Sequence, residues 1–387
     1  MRIEHLRDRC TGCSACKTVC PTNSITMELD DEGFYFPRID ARKCIECGKC
    51  ERACHCFAKN ELHIEKTSYW GYHKDAGKRF SSTSGGVFIA LADEIIRCGG
   101  VVYGAAFDNE RRKLRHTSNL QVSLEELKKS KYIESDLENT FSEIQEHLKN
   151  GRYVLFCGTP CEASGLRKAV ADPENHLYIV DFICHGVPSS KLFKEHLNRI
   201  IRKGETLTGI DFRPKDNGWS GKNIELITRT RTRTRTRPYS YDSFYKGFMT
   251  ENAFLRRSCY NCEHRQEHSS DITIADFWGY RQYDPSINDE KGLSLIVANN
   301  AKGRQLAESV AGDFVLNKID NKYSDYAYAP KDYSESLKKR KIFYSYEKQY
   351  GFEKAAKMTY MKNGEMKYMI YRVKRLIKQI LKNKSGR

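Results

Sequence analysis

No uninterrupted apolar run in the sequence is long enough to cross a bilayer. The chain opens MRIEHLRDRC, without the apolar centre of a secretion signal, so the expected location is the cytoplasm. There is no Walker lysine loop, no G-x-G-x-x-G fingerprint and no catalytic-triad pattern, which removes the reaction classes those motifs serve. Acidic residues are missing after Glu365, where eight Lys or Arg side chains accumulate. They contribute to a formal charge of +16, although thiolate-bound metal clusters, being anionic, would lower the net value. Hydrophobic residues at 39% and charged residues at 30% describe a soluble globular protein of more than one domain.

What the sequence does have is cysteine, fifteen in 387 residues. In a reducing compartment, regularly spaced cysteines point to metal ligands more than to disulfides. Cys10, Cys13, Cys16 and Cys20-Pro21 form C-x2-C-x2-C-x3-C-P, and Cys44, Cys47, Cys50 and Cys54 repeat the spacing with His55 in place of proline. Three ligands in so tight a loop hold one iron–sulfur cube, and the fourth cysteine of each run reaches the neighbouring cluster. The expected sets are therefore Cys10, Cys13, Cys16 and Cys54 for one 4Fe-4S cluster, and Cys44, Cys47, Cys50 and Cys20 for the other. Paired zinc knuckles are the alternative, but zinc takes four ligands in two separated pairs.

The chain divides into three expected parts: a ferredoxin-type dicluster module over 1–62, a body over 75–310 and a basic helical region over 311–387. In the body, Val87–Arg97 has helical periodicity and stops at Gly99-Gly100. Asp136 is the expected cap of a helix through Leu148. Strands are expected at Val101–Phe107, Tyr153–Phe156, Leu177–Ile183, Asp271–Ala275 and Leu293–Ala298, with helices at Glu162–Val170 and after Pro188. The fold class is thus an α+β ferredoxin-like module followed by an α/β domain with a mostly parallel sheet and a helical C-terminal tail. In such sheets ligands bind beyond the carboxyl ends of the strands, where the sequence puts CGTPC, CHG and DFWG. Thr228–Arg237, five Thr-Arg pairs, suits an exposed hairpin strand and lacks the interleaved aromatics of a nucleic-acid binder. No nucleic-acid partner is expected.

Cys161, Cys184, Cys259 and Cys262 sit in turn-like contexts, where spacing alone allows a shared cluster, a structural zinc or buried thiols. Cys56 and Cys98 have no expected role, and Cys157 shares a loop with Cys161. The stretches SSTSGGVFIAL (81–91), SKYIESD (130–136), GRYVLFCGTPCEASGL (151–166), DFICHGVPS (181–189), FRPKDNGWS (212–220), CYNC (259–262) and DITIADFWGY (271–280) resemble the beta subunit family of coenzyme F420 hydrogenases and dehydrogenases. The resemblance implies FAD and a third 4Fe-4S cluster, on Cys161, Cys184, Cys259 and Cys262. For the flavin it points to Ser84, Gly85 and Gly86, which lead into a helix whose bare amides suit a pyrophosphate, to Lys131, and to the turn Gly158, Thr159 and Pro160.

The implied function is a flavin- and iron–sulfur-dependent oxidoreductase. Its partners would be a redox donor protein or an oxidoreductase subunit, and a small-molecule acceptor, F420-like or another organic compound. A carrier subunit without a substrate is the alternative. In the tail Lys367–Arg387, apolar residues from Met369 to Leu381 recur near helical spacing between basic ones; they would pack on protein or touch an anionic membrane.

Overall fold

The structure, a computed structural model, describes residues 2–58, 66–216, 218–220, 223–228, 235–287, 290–325, 332–364, 366–371, 373, 374 and 377. Both cysteine loops of the front module bend the same way. Gly12 and Ser14 in the first, and Glu46 and Gly48 at the matching positions of the second, are left-handed. Alternating handedness turns successive amides inward and makes an anion-binding concavity, which a thiolate cluster requires. Between the loops, β1 (Ile25–Leu29) and β2 (Tyr35–Ile39) form an antiparallel hairpin.

The body is built on nine strands: β3 (Thr67–His73), β4 (Val101–Asp108), β5 (Lys113–Ser118), β6 (Ser135–Asp136), β7 (Val154–Gly158), β8 (Leu177–Phe182) and, after a separate three-stranded sheet of β9 (Leu207–Asp211), β10 (Asn223–Thr228) and β11 (Arg235–Pro238), β12 (Ile272–Asp276), β13 (Ser294–Ala298) and β14 (Phe314–Ile319). Their order is β14-β3-β13-β12-β8-β7-β4-β5-β6. Side-chain alternation explains the layering. Val102, Leu155 and Val180 meet the helix Val87–Arg97 on one face. Their neighbours Val101, Val154 and Ile179 meet the helices Thr140–Lys149 and Pro160–Ala169 on the other.

The expected mostly parallel sheet is instead mixed, with four parallel pairings (β4/β7, β7/β8, β8/β12, β5/β6) and four antiparallel. Tight connections such as 109–112 between β4 and β5 enforce antiparallel neighbours, because parallel ones need a crossover. The parallel block is central, and it carries the cysteine turns.

Three boundaries differ from expectation. The helix Val87–Arg97 forms as read, but Asp136 lies in β6 and the later helix starts at Thr140 after Asn139. The carboxylate of Asp136 instead accepts from the Glu138 amide. The nine-stranded sheet begins before residue 75, with β3, and ends after 310, with β14. The C-terminal helices Ser334–Tyr350 and Phe352–Thr359 are no loose appendage. Phe343, Tyr344, Phe352 and Ala355 share one core with Leu192, Phe193, Phe244 and Phe254. Of the Thr-Arg run, β11 pairs antiparallel with β10 as a hairpin strand does, while 229–234 lie outside the described residues. In the tail, Met369, Ile370, Val373 and Ile377 are exposed; Leu376, Ile380 and Leu381 lie outside the described residues.

Candidate metal centres

Cys10, Cys13, Cys16 and Cys54 line one cavity beneath Ile3 and Leu6. The fourth thiol comes from the far end of the other run, as the crossed wiring requires. Burial pushes the Cys13 thiol up to about 12, and those of Cys10 and Cys16 up as well. Adjacent thiolates in so dry a place are tenable only around positive charge, which bound iron supplies. Of the second set, Cys50 is buried beside Cys20 and Ile25. Cys44 is half-buried and Cys47 exposed, so this set is the outer one. The Cys20 sulfur accepts from the Ser24 amide at 3.3 Å.

In the body, registers Gly158↔Asp181 and Phe182↔Ile274 bring the ends of β7, β8 and β12 to one edge. CGTPC, CHG and DFWG therefore emerge side by side. Thr159 caps the helix Pro160–Ala169 in a box with Glu162, fixing Cys161 in its first turn. Pro188 bridges Leu255, and a Cβ on Gly186 would lie 3.2 Å from the Cys259 Cβ, so the 184–188 and 255–262 loops close on each other. Cys161 lies within electrostatic reach of Cys184 and Cys262, and Cys184 of Cys259 and Cys262. Burial raises all four thiols, Cys259 to about 12. Each of these thiols is thus within electrostatic reach of at least two of the others. Cys157 faces Asp181 and Lys131 instead. Among the described residues no three His, Cys, Asp or Glu side chains close into a single-ion site.

The inner front set abuts the body set. A Cβ on Gly165, one turn after Cys161, would lie 2.7 Å from the Cys13 sulfur. His55, next to Cys54, shares a 3.1 Å hydrogen bond with His264, two residues after Cys262, and its other nitrogen meets the Thr11 hydroxyl at 2.9 Å. Burial and His264 push His55 down to about 3. The Arg256 side chain donates to the Cys10 carbonyl, its own carbonyl accepts from the Cys259 amide, and Cys161 is within its electrostatic reach. Sequence reading missed Arg256, His264 and Gly165. Arg256 stands beside Arg257 with no local signal to separate them, and Gly165 sits inside EASGL.

The segments expected to hold a flavin are brought together, with different bonding. The Ser130 amide donates to the Thr83 hydroxyl at 2.7 Å, joining the two turns. The Ser84 hydroxyl donates to the Leu293 carbonyl, and the Gly85 amide to the Ser294 hydroxyl at 3.0 Å. A Cβ on Gly85 would strike the Gly71 carbonyl at 2.4 Å, so this glycine serves strand packing. Lys131, expected to reach phosphate directly, instead spends its ammonium on the carbonyls of Leu127, Lys128 and Lys129. Burial drags it down to about 7.

Lys215 behaves alike, bound to the carbonyls of Arg79, Ser84 and Lys291 and pulled down to about 7 by burial and then by Arg79. The helix after Gly86 starts without a side-chain cap, so its first amides and these buried cations are what suits an anionic phosphate. Gly158 is filled by Phe156 and Glu162. The half-exposed Trp278 stacks on Trp219 at 4.4 Å, near Arg213. These residues fit a dinucleotide by charge and by one helix end, and not through the Ser84, Gly85 or Lys131 donors.

Comparison with known proteins agrees with this division. Residues 9–58 match the 4Fe-4S dicluster domain, and residues 151–322 match the C-terminal region of the coenzyme F420 hydrogenase/dehydrogenase beta-subunit family. Among curated proteins, NADH-quinone oxidoreductase subunit I 2 of Geobacter metallireducens is 37% identical over 59 residues, 14% of this chain and 45% of that one. The B component of the Na(+)-translocating ferredoxin:NAD(+) oxidoreductase complex of Acetobacterium woodii is 42% identical over 45 residues, 12% of each. The matches thus span less than half the length of either relative. A chain of the F420-reducing [NiFe] hydrogenase complex from Methanosarcina barkeri superposes with a TM-score of 0.46 at 15% identity, covering 75% of this chain and 94% of that one. Among the described residues no helix is long and apolar enough to cross a membrane. This chain thus carries a 4Fe-4S dicluster domain at its front and, over residues 151–322, a match to the C-terminal region of the coenzyme F420 hydrogenase/dehydrogenase beta-subunit family.

Proposed function

We propose that the protein is an iron–sulfur flavoprotein oxidoreductase that carries electrons from a ferredoxin-type donor or partner subunit to an F420-like or other organic acceptor. One observation carries this reading: Arg256 bonds the Cys10 carbonyl with its side chain and the Cys259 amide with its own carbonyl, and a Cβ on Gly165, in the helix of Cys161, would lie 2.7 Å from the Cys13 sulfur. The proposed order runs inward from the surface. Exposed Cys47, with Cys44, Cys50 and Cys20, offers the entry point to an external donor. Cys10, Cys13, Cys16 and Cys54 follow, and Cys161, Cys184, Cys259 and Cys262 would hold a third cluster.

FAD, when bound, would supply the conversion between one-electron and two-electron chemistry. Its phosphates would rest at the uncapped start of the helix Val87–Arg97, beside Lys215, whose ammonium donates to the Ser84 carbonyl. Arg213 pairs with Asp276, which also accepts from the Trp219 indole at 3.0 Å, and holds the pocket wall near exposed Trp278. A second reading, an electron-carrying subunit with no substrate, is favoured by the internal bonding of Ser84, Gly85 and Lys131. Metal and flavin content of anaerobically purified protein separates the two. The enzyme reading expects about twelve irons, three clusters of four, and one FAD per chain. Eight irons without flavin would refute it.

A further inference from the structure

We infer that Arg256 is an electrostatic clamp on the inner front cluster, making that cluster easier to reduce than its four cysteines alone would. Arg256 is 1% exposed and among the largest wholly buried side chains. Its Nε donates to the Cys10 carbonyl at 2.7 Å. Its Nη2 donates to the Tyr35 carbonyl at 2.7 Å and to the Cys10 sulfur at 3.7 Å. Its Nη1 meets the Glu134 carboxylate, and its plane lies 4.3 Å over the Phe36 ring. Four hydrogen bonds and one aromatic ring thus fix the fork in place.

Gly12 makes the approach feasible. Its φ is +75°, and a Cβ there would fall 3.0 Å from Nη1 and 3.1 Å from the Glu134 carboxylate. The backbone of Arg256 is pinned in turn, its amide donating to the Val187 carbonyl at 2.9 Å and its carbonyl accepting from the Cys259 amide at 3.0 Å. One side chain thus ties the first ligand loop to the loop that carries Cys259 and Cys262.

Sign follows from charge. Reduction adds one electron to the cluster, breaks no bond and makes the cluster more anionic. A hydrogen-bonded guanidinium in a dry site stabilises that state, because hydrogen bonds to cluster sulfurs and low exposure govern cluster potential. Glu134 offsets part of the effect from the far side. Substitutions at the two positions must therefore move the potential in opposite directions.

The inference rests on the proposed ligation by Cys10, Cys13, Cys16 and Cys54, and needs neither the third cluster nor FAD. The test is an EPR-monitored redox titration, with dithionite as reductant, of anaerobically purified full-length wild type, Arg256→Gln, Arg256→Lys and Glu134→Gln. In Arg256→Gln one front cluster should become about tenfold harder to reduce, about 59 mV for one electron, with the other unmoved. Arg256→Lys keeps the charge but not the fork and should shift less. Glu134→Gln should shift the same cluster the other way. If Arg256→Gln loses four irons, Arg256→Lys and Glu134→Gln decide. Wild-type potentials in both of these variants, or Gln substitutions at 256 and 134 that shift the same way, overturn the clamp. Eight irons and no flavin in wild type would sink the oxidoreductase reading and leave this measurement intact.

Discussion

Gly165→Ala is the simplest perturbation of the junction between the front module and the body. The new Cβ would sit 2.7 Å from the Cys13 sulfur, 2.9 Å from its Cβ and 3.5 Å from the Ala15 Cβ. Relaxed carbon contacts are about 3.5–4.0 Å, so roughly 1 Å of displacement is needed. Overpacking of this kind costs about 1–3 kcal/mol. Replacing a mid-helix glycine by alanine returns about 1 kcal/mol of helix propensity. The balance depends on whether the thiol can turn aside. In protein stripped of iron it can, which leaves only the contact with the Cys13 Cβ and makes the loss smaller. In holoprotein the sulfur is tied to iron, the helix must move, and a net loss of about 1–2 kcal/mol is expected. Thermal unfolding of anaerobic holoprotein and apoprotein, wild type against variant, reads the difference. A holoprotein variant as stable as wild type, with unchanged cluster spectra, would refute the packing argument.

Other predictions concern the body. His196 sits between Asp242 at 3.1 Å and Glu353 at 3.3 Å; burial opposes its charge, but these carboxylates lift it to about 9. A raised folded value means that the stabilisation is complete below about pH 6.5 and lost as pH climbs through 9, about 3 kcal/mol in all. Urea midpoints at pH 6 and 9.5 should show that fall, and His196→Gln should flatten it. Arg340→Met removes the buried partner of Glu32, which joins the front module to the helix Ser334–Tyr350; it should cost about 3 kcal/mol by urea titration. Lys215→Met leaves the Arg79, Ser84 and Lys291 carbonyls without their ammonium donor and should lower the FAD-to-chain ratio after gel filtration at least tenfold, with iron unchanged.

How much of this was legible in the sequence varies with the kind of information. The front module could be read because ligand geometry is written as spacing, and Cys10, Cys13, Cys16 and Cys54 line one cavity, although Cys56, given no role by the spacing, lines it too. Val87–Arg97 could be read because its buried residues recur at helical period before a double glycine. Strand direction was not legible. A run such as Val101–Asp108 is equally apolar beside a parallel or an antiparallel neighbour, and only the length of the connection decides. The strand Phe314–Ile319 lay hidden in a region that reads as basic and helical. Lys131 was legible as a cation, but its ammonium turns back to three carbonyls of its own turn. Arg256 and Arg257 are adjacent and identical, yet one is wholly buried against Cys10 and the other is half-exposed between Asp8 and Glu32. Only the register of the two loops separates them.

Magnetic coupling between the front and body cysteine sites tests the continuity of the relay most directly. EPR spectra of the dithionite-reduced full chain would be compared with those of a Cys184→Ala, Cys259→Ala double variant, alongside iron counts. Wild type is predicted to hold about twelve irons and to show broadening that disappears in the variant, which keeps about eight. Spectra that superimpose, or eight irons in both proteins, would contradict the account.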